Sequence, residues 1–299
     1  MRALARWIAC AAVLLGLGGL PHAGAAAPLY AIGSDSNGVG RVFTPILPSG
    51  AATALGDGST AFNGGLAYLP SDGRFYAIEN DALGQSALTS FLAATPSLLS
   101  TPIALGSGFY GGLAADPASA RLYAIASDSF GQSTLYRVGS SGATALGAIG
   151  NGYYGGMSFD TQDGNLYAVS GDDFGVQRRL SRIQLGSSGT PTATTLFDLG
   201  DGSLAFQGGL AFDAALKRFV VIGNDSGGNS SLYAFSLSGA ASLTDLGTPL
   251  GTGFLNAGLA YAIAPVPEPS TTLLFGVAGL PLLWWVRRRR PRVPSIPEE

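Results

Sequence analysis

A carboxylate recurs at one kind of position through the middle of the chain, a few residues before a glycine. The members of this set are Asp35, Asp81, Asp128, Asp172 with Asp173, and Asp225. A ring of such carboxylates could bind a hard cation such as calcium, or contact the hydroxyls of a sugar. The structural alternative is that each aspartate caps a turn by bonding the backbone two residues on. Recurrence in every repeat favours the structural interpretation.

A second polar set stands just before a recurring Gly-Gly pair. Its members are Asn63, Tyr110, Tyr154, Gln207 and Asn256. In a β-propeller the loops that carry these two sets emerge on the same face. We therefore predict that together they form the ligand or cation face, if the protein has one.

An enzyme built on this face would be a glycosidase with a carboxylic acid and a carboxylate across the scissile bond. Such a pair needs unlike environments that separate the two pKa values, whereas these aspartates stand in near-identical contexts. We expect no catalytic residue, no resident cofactor and no metal, with calcium as the alternative.

Other reactive groups are scarce. Cys10 and His22 are the only cysteine and histidine of the 299 residues, and both lie in an N-terminal segment that we expect to be removed. The remainder has no thiol nucleophile, no Ser-His pair and no His or Cys ligand for a transition metal. Between Ala26 and Pro267, nine basic and sixteen acidic residues give a net charge of −7. This excess of negative charge disfavours a nucleic-acid partner.

A repeat organises the whole middle of the chain. Its first strand reads Gly-Gly-apolar-small-aromatic, with the second glycine at positions 65, 112, 156 and 209 and a weaker copy at 258. The spacings of 47, 44, 53 and 49 residues fit four short strands per repeat, the size of a propeller blade.

A second strand follows each Gly-Gly strand after a turn, as in Phe75–Ile78, Leu122–Ile125 and Leu166–Val169. The tyrosines in these strands, Tyr76, Tyr123 and Tyr167, could stack on sugars, but their repeat spacing favours core packing. Third strands are predicted at 133–138 and 231–237. A Leu-Gly pair is expected to end each fourth strand, as at positions 105–106, 146–147, 199–200 and 246–247.

The two ends of the repeat region complement each other. Leu29–Ile32 is a second strand with no Gly-Gly strand before it, and Gly258–Ile263 is a first strand with no partner after it. Together they predict an all-β, five-bladed β-propeller over residues 28–263, closed by a C-terminal strand that joins the N-terminal blade. A β-helix, a β-sandwich or an open six-bladed propeller could use the same strands.

The N-terminus has the three parts of a signal peptide over residues 1–25. A basic start, Met1–Arg6, precedes the apolar run Trp7–Leu20 and the small residues Ala23-Gly24-Ala25. We expect cleavage by signal peptidase near Ala25. An uncleaved membrane anchor is the alternative.

The C-terminus, residues 265–299, also has three parts. A Pro-Glu-Pro motif at 266–271 precedes an apolar segment at 272–286, and a basic cluster follows. The motif residues are Val266, Pro267, Glu268, Pro269 and Ser270, and the basic cluster is Arg287, Arg288, Arg289 and Arg290.

This tail resembles the PEP-CTERM sorting domain. The resemblance implies processing by an exosortase in a Gram-negative host that makes exopolysaccharide or biofilm. The arginines would hold the tail in the cytoplasm, so the inner membrane anchors the chain until processing. The chain departs from the usual pattern in continuing from Pro291 to Glu299.

Signals and repeat together predict a noncatalytic surface or extracellular matrix protein, with a weak carbohydrate-binding or adhesion role and exopolysaccharide as a partner. The alternatives are a propeller glycosidase that uses channel carboxylates and a purely structural surface protein.

Overall fold

The structure is a computed structural model of the full chain. It describes residues 27–34, 41–46, 53–54, 61–153, 155–172, 175–186, 189–238, 243–251, 254 and 257–262. The predicted signal peptide, the sorting motif, the apolar segment and the basic cluster lie outside these residues. In the described part of the chain, no helix is both long enough and apolar enough to span a bilayer.

The described residues form twenty strands in five four-stranded sheets, and neighbouring strands in every sheet are antiparallel. The first sheet, in spatial order, contains β20 (Gly258–Tyr261), β1 (Leu29–Ser34), β2 (Arg41–Pro45) and β3 (Thr53–Ala54). The second contains β4 (Ala61–Leu69), β5 (Arg74–Asn80), β6 (Gln85–Leu92) and β7 (Ile103–Ser107). The third contains β8 (Leu113–Asp116), β9 (Arg121–Ser127), β10 (Gln132–Gly139) and β11 (Gly142–Asn151). The fourth contains β12 (Met157–Phe159), β13 (Leu166–Gly171), β14 (Gln177–Leu185) and β15 (Pro191–Asp198). The fifth contains β16 (Leu210–Asp213), β17 (Arg218–Asn224), β18 (Ser230–Phe235) and β19 (Thr244–Gly251).

The first sheet joins the two ends of the repeat region. β20 pairs with β1 in a register that sets Leu29 opposite Tyr261 and Ile32 opposite Gly258. One strand from the C-terminal end and three from the N-terminal end thus complete a sheet, as the sequence predicts. The pairing removes an open edge from each end of the repeat region.

The innermost strands, β4, β8, β12, β16 and β20, contact one another in cyclic order. At each contact the second glycine of the Gly-Gly pair faces the backbone of the next innermost strand. A Cβ on Gly112 would come within 3.0 Å of the backbone nitrogen of Met157, and one on Gly156 would meet the nitrogen of Leu210 in the same way. Real Cβ atoms do not approach backbone atoms so closely. Only glycine therefore fits where the five innermost strands meet, a region that we call the axis. The all-β class and the propeller-like arrangement are confirmed.

Apolar side chains fill the space between neighbouring sheets. Phe75, buried on β5, contacts the rings of Phe43, Phe91 and Tyr68 at centroid distances of 5.0 to 5.6 Å. Tyr123 and Tyr167 are buried in the same layer of their own sheets. Tyr76 is half-buried and packs against the edge of the core between the second and third sheets. The predicted core packing is therefore confirmed for Tyr123 and Tyr167 and in part for Tyr76.

The outer strands differ from the prediction in two respects. β18 ends at Phe235, two residues before the predicted end. The Leu-Gly pairs do not end every fourth strand: β11 continues four residues beyond Gly147, and β19 four beyond Gly247. The strand register shifts by one residue at Leu146, because Leu135 pairs with Gly147 while Tyr136 pairs with Ala145. Leu-Gly there marks a β-bulge, a local kink that a glycine accommodates.

Candidate functional site

The recurring aspartates cap the turns between the second and third strands. Asp81 Oδ1 accepts hydrogen bonds from the backbone N–H groups of Leu83 and Gln85, each at 2.8 Å. The N–H of Gly84 donates to the Asp81 carbonyl, and Gly84 takes a φ of +75° that favours glycine. The motif Asp-x-x-Gly therefore closes a tight hairpin.

The same turn recurs in three more sheets. Asp128 accepts from the N–H groups of Phe130 and Gln132, each at 2.9 Å, and Asp225 repeats the arrangement with Gly227 and Asn229. The turn-capping interpretation is confirmed at these positions. The side-chain amide of Asn229 and the backbone N–H groups also hold the pKa of Asp225 below its usual value.

Asp172 differs from its counterparts by an ion pair. Its Oδ1 accepts from the Val176 N–H at 3.0 Å, as expected for the turn. Its Oδ2 lies 2.5 Å from Arg178 Nε, and the carboxylate is almost fully buried. Asp172 is therefore neutralised by a cation within its own hairpin.

The second predicted set lies beside these turns. The Tyr110 hydroxyl would be 2.8 Å from a Cβ on Gly84, so Tyr110 packs over the turn of the preceding sheet. The N–H of Phe109 donates to Ser86 Oγ at 3.3 Å, and the N–H of Tyr153 donates to Ser133 Oγ at 3.2 Å. These bonds tie each turn to the loop that enters the next sheet. We call this end of the sheets, with its turns and entry loops, the loop face.

The described part of the loop face brings Asp81, Tyr110, Asp128, Asp172, Gln207 and Asp225 to one end of the molecule. Gln207 is exposed there, and the backbone of Asn63 lies in β4. Asp35, Asp173, Tyr154 and Asn256 lie outside the described residues. No group of three or more His, Cys, Asp or Glu side chains that could hold a metal ion occurs among the described residues. The ligand role of this face stays a prediction.

The sequence interpretation missed two side chains on the loop face. Leu83 is 85% exposed and Phe130 is 90% exposed, each at the third position of an Asp-x-x-Gly turn. A large apolar residue at a turn tip, where polar residues are the rule, was the available signal.

A cavity opens at the opposite end of the innermost strands. Its empty volume is about 500 Å³, including space open to solvent. The mouth carries Tyr68, Phe159, Phe212 and Tyr261, and no charged side chain lines the cavity among the described residues. None of the residues predicted for the ligand face lies there. We call this end, which carries the turns between first and second strands, the turn face.

Tyrosine and aspartate pair across two turns of the turn face. Tyr76 donates its hydroxyl to Asp72 Oδ2 at 2.6 Å, and Tyr167 donates to Asp163 Oδ2 at 2.7 Å. Burial and the bond to Asp72 raise the pKa of Tyr76 to about 12. Burial alone would raise the pKa of Asp163, but hydrogen bonds from Tyr167 and Asn165 together hold that pKa below its usual value. These Tyr–Asp hydrogen bonds stabilise the two turns.

Comparison with known proteins gives a fold likeness only. No model of a known protein family matches the sequence, and no curated protein matches it. Among solved structures, TolB from Acinetobacter baumannii is 14% identical with a TM-score of 0.48, covering 80% of this chain and 56% of its own. A putative TolB from Agrobacterium tumefaciens is 12% identical with a TM-score of 0.49, covering 79% and 90%. A functionally unknown protein from Desulfotomaculum acetoxidans is 11% identical with a TM-score of 0.44, covering 79% and 88%.

The chain thus spans little more than half the length of the first of these structures. At such identities and TM-scores the likeness carries no argument about function, and the fold rests on the strand pairing itself.

Proposed function

We propose that this chain is an exported surface or extracellular matrix protein whose domain is a closed five-bladed propeller with a noncatalytic, weakly carbohydrate-binding role. The blade count is supported by the five four-stranded sheets and by the cyclic contacts of their innermost strands. The antiparallel pairing within every sheet argues against a parallel β-helix.

One observation carries the noncatalytic part of the proposal. The carboxylates that sequence reasoning offered to a glycosidase are engaged in their own turns, through Oδ1 of Asp81, Asp128 and Asp225. The cavity at the axis has no charged side chain among its described lining residues. A glycosidase needs an acid and a second carboxylate that face one bound sugar, and these two features supply none.

Carbohydrate binding is supported by the chemistry of the loop face. Tyr110 and Gln207 are exposed there, beside turns whose aspartates are also exposed. A phenol ring can stack on a sugar, while amide and carboxylate oxygens accept bonds from its hydroxyls. Exposed groups of this kind fit weak binding to a long polymer.

The test is affinity electrophoresis of the protein through gels that contain neutral or acidic polysaccharides, with mass spectrometry of the polymer afterwards. We expect retardation without release of products, and Tyr110→Ala with Gln207→Ala should abolish the retardation. Asp72→Asn on the turn face is the control, and the polymer should retard it as much as it retards the unmodified protein, each measured relative to its own migration in a gel without polymer.

If the unmodified protein releases sugar products from the polymer, and the Asp81→Asn, Asp128→Asn and Asp225→Asn variants do not, the protein would instead be a glycosidase. A well-folded protein that no polysaccharide retards would be a purely structural surface protein.

The sorting part of the proposal has a separate test. Changing Pro267, Glu268 and Pro269 to alanine should stop exosortase processing, so that the chain stays in the inner membrane instead of reaching the surface or medium. Fractionation with intact-mass measurement reads this out. Equal release of both forms would contradict the proposal.

A further inference from the structure

The loop face and the turn face carry different charges. The loop face carries two cations, Arg178 and Arg179, and six acids: the exposed Asp81, Asp128, Asp198, Asp201 and Asp225, and Asp172, whose carboxylate is buried against Arg178. The net charge of these eight side chains is therefore −4. The two cations are already paired with Asp172 and Asp198, so the remaining negative charge is unbalanced.

The turn face has the opposite balance. Its exposed and half-buried cations are Arg74, Arg121, Arg137, Arg182, Lys217 and Arg218, and its acids are Asp72, Asp116, Asp163, Asp213 and Asp245. The net charge of these eleven side chains is +1, with the buried Asp160 left out. Six of these eight cations thus lie toward the turn face, which gives the domain a polarity of charge from one face to the other.

Both faces also expose large apolar side chains. Leu83 and Phe130 stand at the tips of loop-face turns. On the turn face Leu98 is 68% exposed and Leu216 is 61% exposed. Single exposed apolar residues are ordinary, but the repetition of Leu83 and Phe130 at equivalent turn tips of adjacent sheets is a feature of interaction surfaces.

We propose that the loop face of one copy of this chain docks on the turn face of a second copy. Charge complementarity selects this arrangement, because an acidic face meets a face with excess cations, whereas two loop faces would repel each other. The apolar side chains on both faces would lose water contact on docking.

The association is heterologous, since two different surfaces meet. A heterologous contact that does not close into a ring leaves one free loop face and one free turn face, so copies add without limit. The protein would thus form head-to-tail rows, with an assembly function beyond the proposed weak binding of carbohydrate.

The experiment is sedimentation velocity of the full-length chain in mild detergent at low and high salt. At tens of micromolar we expect species larger than monomer at low salt, and a shift toward monomer at about 0.5 M salt, where the Debye length falls below ~5 Å. Leu83→Ser with Phe130→Ser blocks the loop face, and Arg121→Glu with Lys217→Glu blocks the turn face. Each variant alone should be monomeric.

Mixing the two blocked variants is the decisive step. One intact turn face and one intact loop face remain in the mixture, so we expect a 1:1 dimer and no larger species. Leu196→Ser, an exposed leucine on the outermost strand β15, is the matched control and should associate as the unmodified chain does.

Thermal melting establishes that each variant is folded. If Arg121→Glu with Lys217→Glu impairs folding, Arg121→Gln with Lys217→Gln replaces it and should weaken association at least tenfold. A monomeric unmodified chain, a blocked variant that still associates fully, or a mixture that stays monomeric would each overturn the proposal.

Discussion

The innermost and outermost strands of the sheets differ in how strictly their residues are determined. Four of the five innermost strands, all but β4, are only three or four residues long and mostly buried. All five repeat almost the same residues at the Gly-Gly position, because each lies against the backbone of the next. The outermost strands β7, β11, β15 and β19 are largely exposed, vary in sequence and carry register shifts. The repeated residues are therefore most alike in the strands that lie nearest the axis.

The largest effect is expected from removing the closing strand. A chain that ends before Gly258 lacks β20, so β1 keeps an unpaired edge and the cyclic contact with β4 is lost. We expect a large loss of thermal stability or aggregation. A chain that ends after Ile263 keeps β20 and should melt like the full-length protein. Equal melting of both truncated chains would show that β20 does not close the ring.

Substitution at the axis should come next. Gly156→Ala places a methyl group against the backbone of Leu210, which cannot move without displacing the fifth sheet. We expect a loss of about 3 kcal/mol or more in the free energy of unfolding, measured by urea denaturation. Gly139→Ala, at the end of β10 with no atom within 4 Å of the added carbon, is the control and should change stability by under ~1 kcal/mol. Equal effects would contradict the close packing at the axis.

A smaller effect is expected farther from the axis, in the hairpin turns. Asp128→Ala removes the acceptor of two backbone N–H groups and should cost about 1–2 kcal/mol of unfolding free energy. Asp128→Asn keeps an acceptor oxygen at the same place and should cost much less. Chemical denaturation of both variants separates them. If Asp128→Asn lowered the free energy of unfolding as much as Asp128→Ala, the negative charge of Asp128 and not its hydrogen bonds in the turn would stabilise the fold.

The smallest effect is a change in pH dependence at the turn face. The pKa of Asp163 is lower in the folded chain than in the unfolded chain. The ionised carboxylate therefore contributes fully to the free energy of unfolding above pH of about 4, and this contribution is lost as the pH falls through the pKa of the folded chain. Tyr167→Phe removes a donor to that carboxylate. The variant should therefore be less stable than the unmodified chain at neutral pH, with a difference that shrinks below pH of about 4.

Tyr123→Phe is the control for this prediction, because Ser119 stands four residues before Tyr123 where Asp163 stands before Tyr167. Its stability difference should not change with acid. Urea denaturation between pH 3 and 7 measures both variants, and a parallel pH dependence of the two would contradict the role of Asp163.

Much of the fold could be predicted from the residues near the axis. The spacing of the Gly-Gly pairs and the unaccompanied strands at 29–32 and 258–263 predicted the four-stranded sheets and the pairing of β1 with β20, because close backbone contact leaves few residue choices. The outer strands could not be placed as well. Leu146 and Gly147 mark a bulge inside β11, since an edge strand can absorb an extra residue without disturbing a neighbour.

The candidate site was predictable only in its local chemistry. Asp-x-x-Gly specifies its own turn, so the roles of Asp81 and Asp225 follow from five consecutive residues. The exposure of Leu83 and Phe130 depends on what lies above the turn, and the apolar cavity depends on how five strands diverge toward the turn face. The cavity is a property of the assembled domain that no local pattern encodes, whereas the exposure of the two side chains had one local signal, a large apolar residue at the tip of a predicted turn.

The pairing of β1 with β20 also has a consequence for the order of folding. β1 is the first of the described strands to be synthesised and β20 is the last, so the first sheet stays incomplete until the 223 residues between them have been made. Contacts so distant in sequence close slowly, because a long loop must be ordered before the pairing stabilises it. Until β20 arrives, the free edge of β1 is where a chaperone would be expected to bind and where a second unfinished chain could pair by mistake.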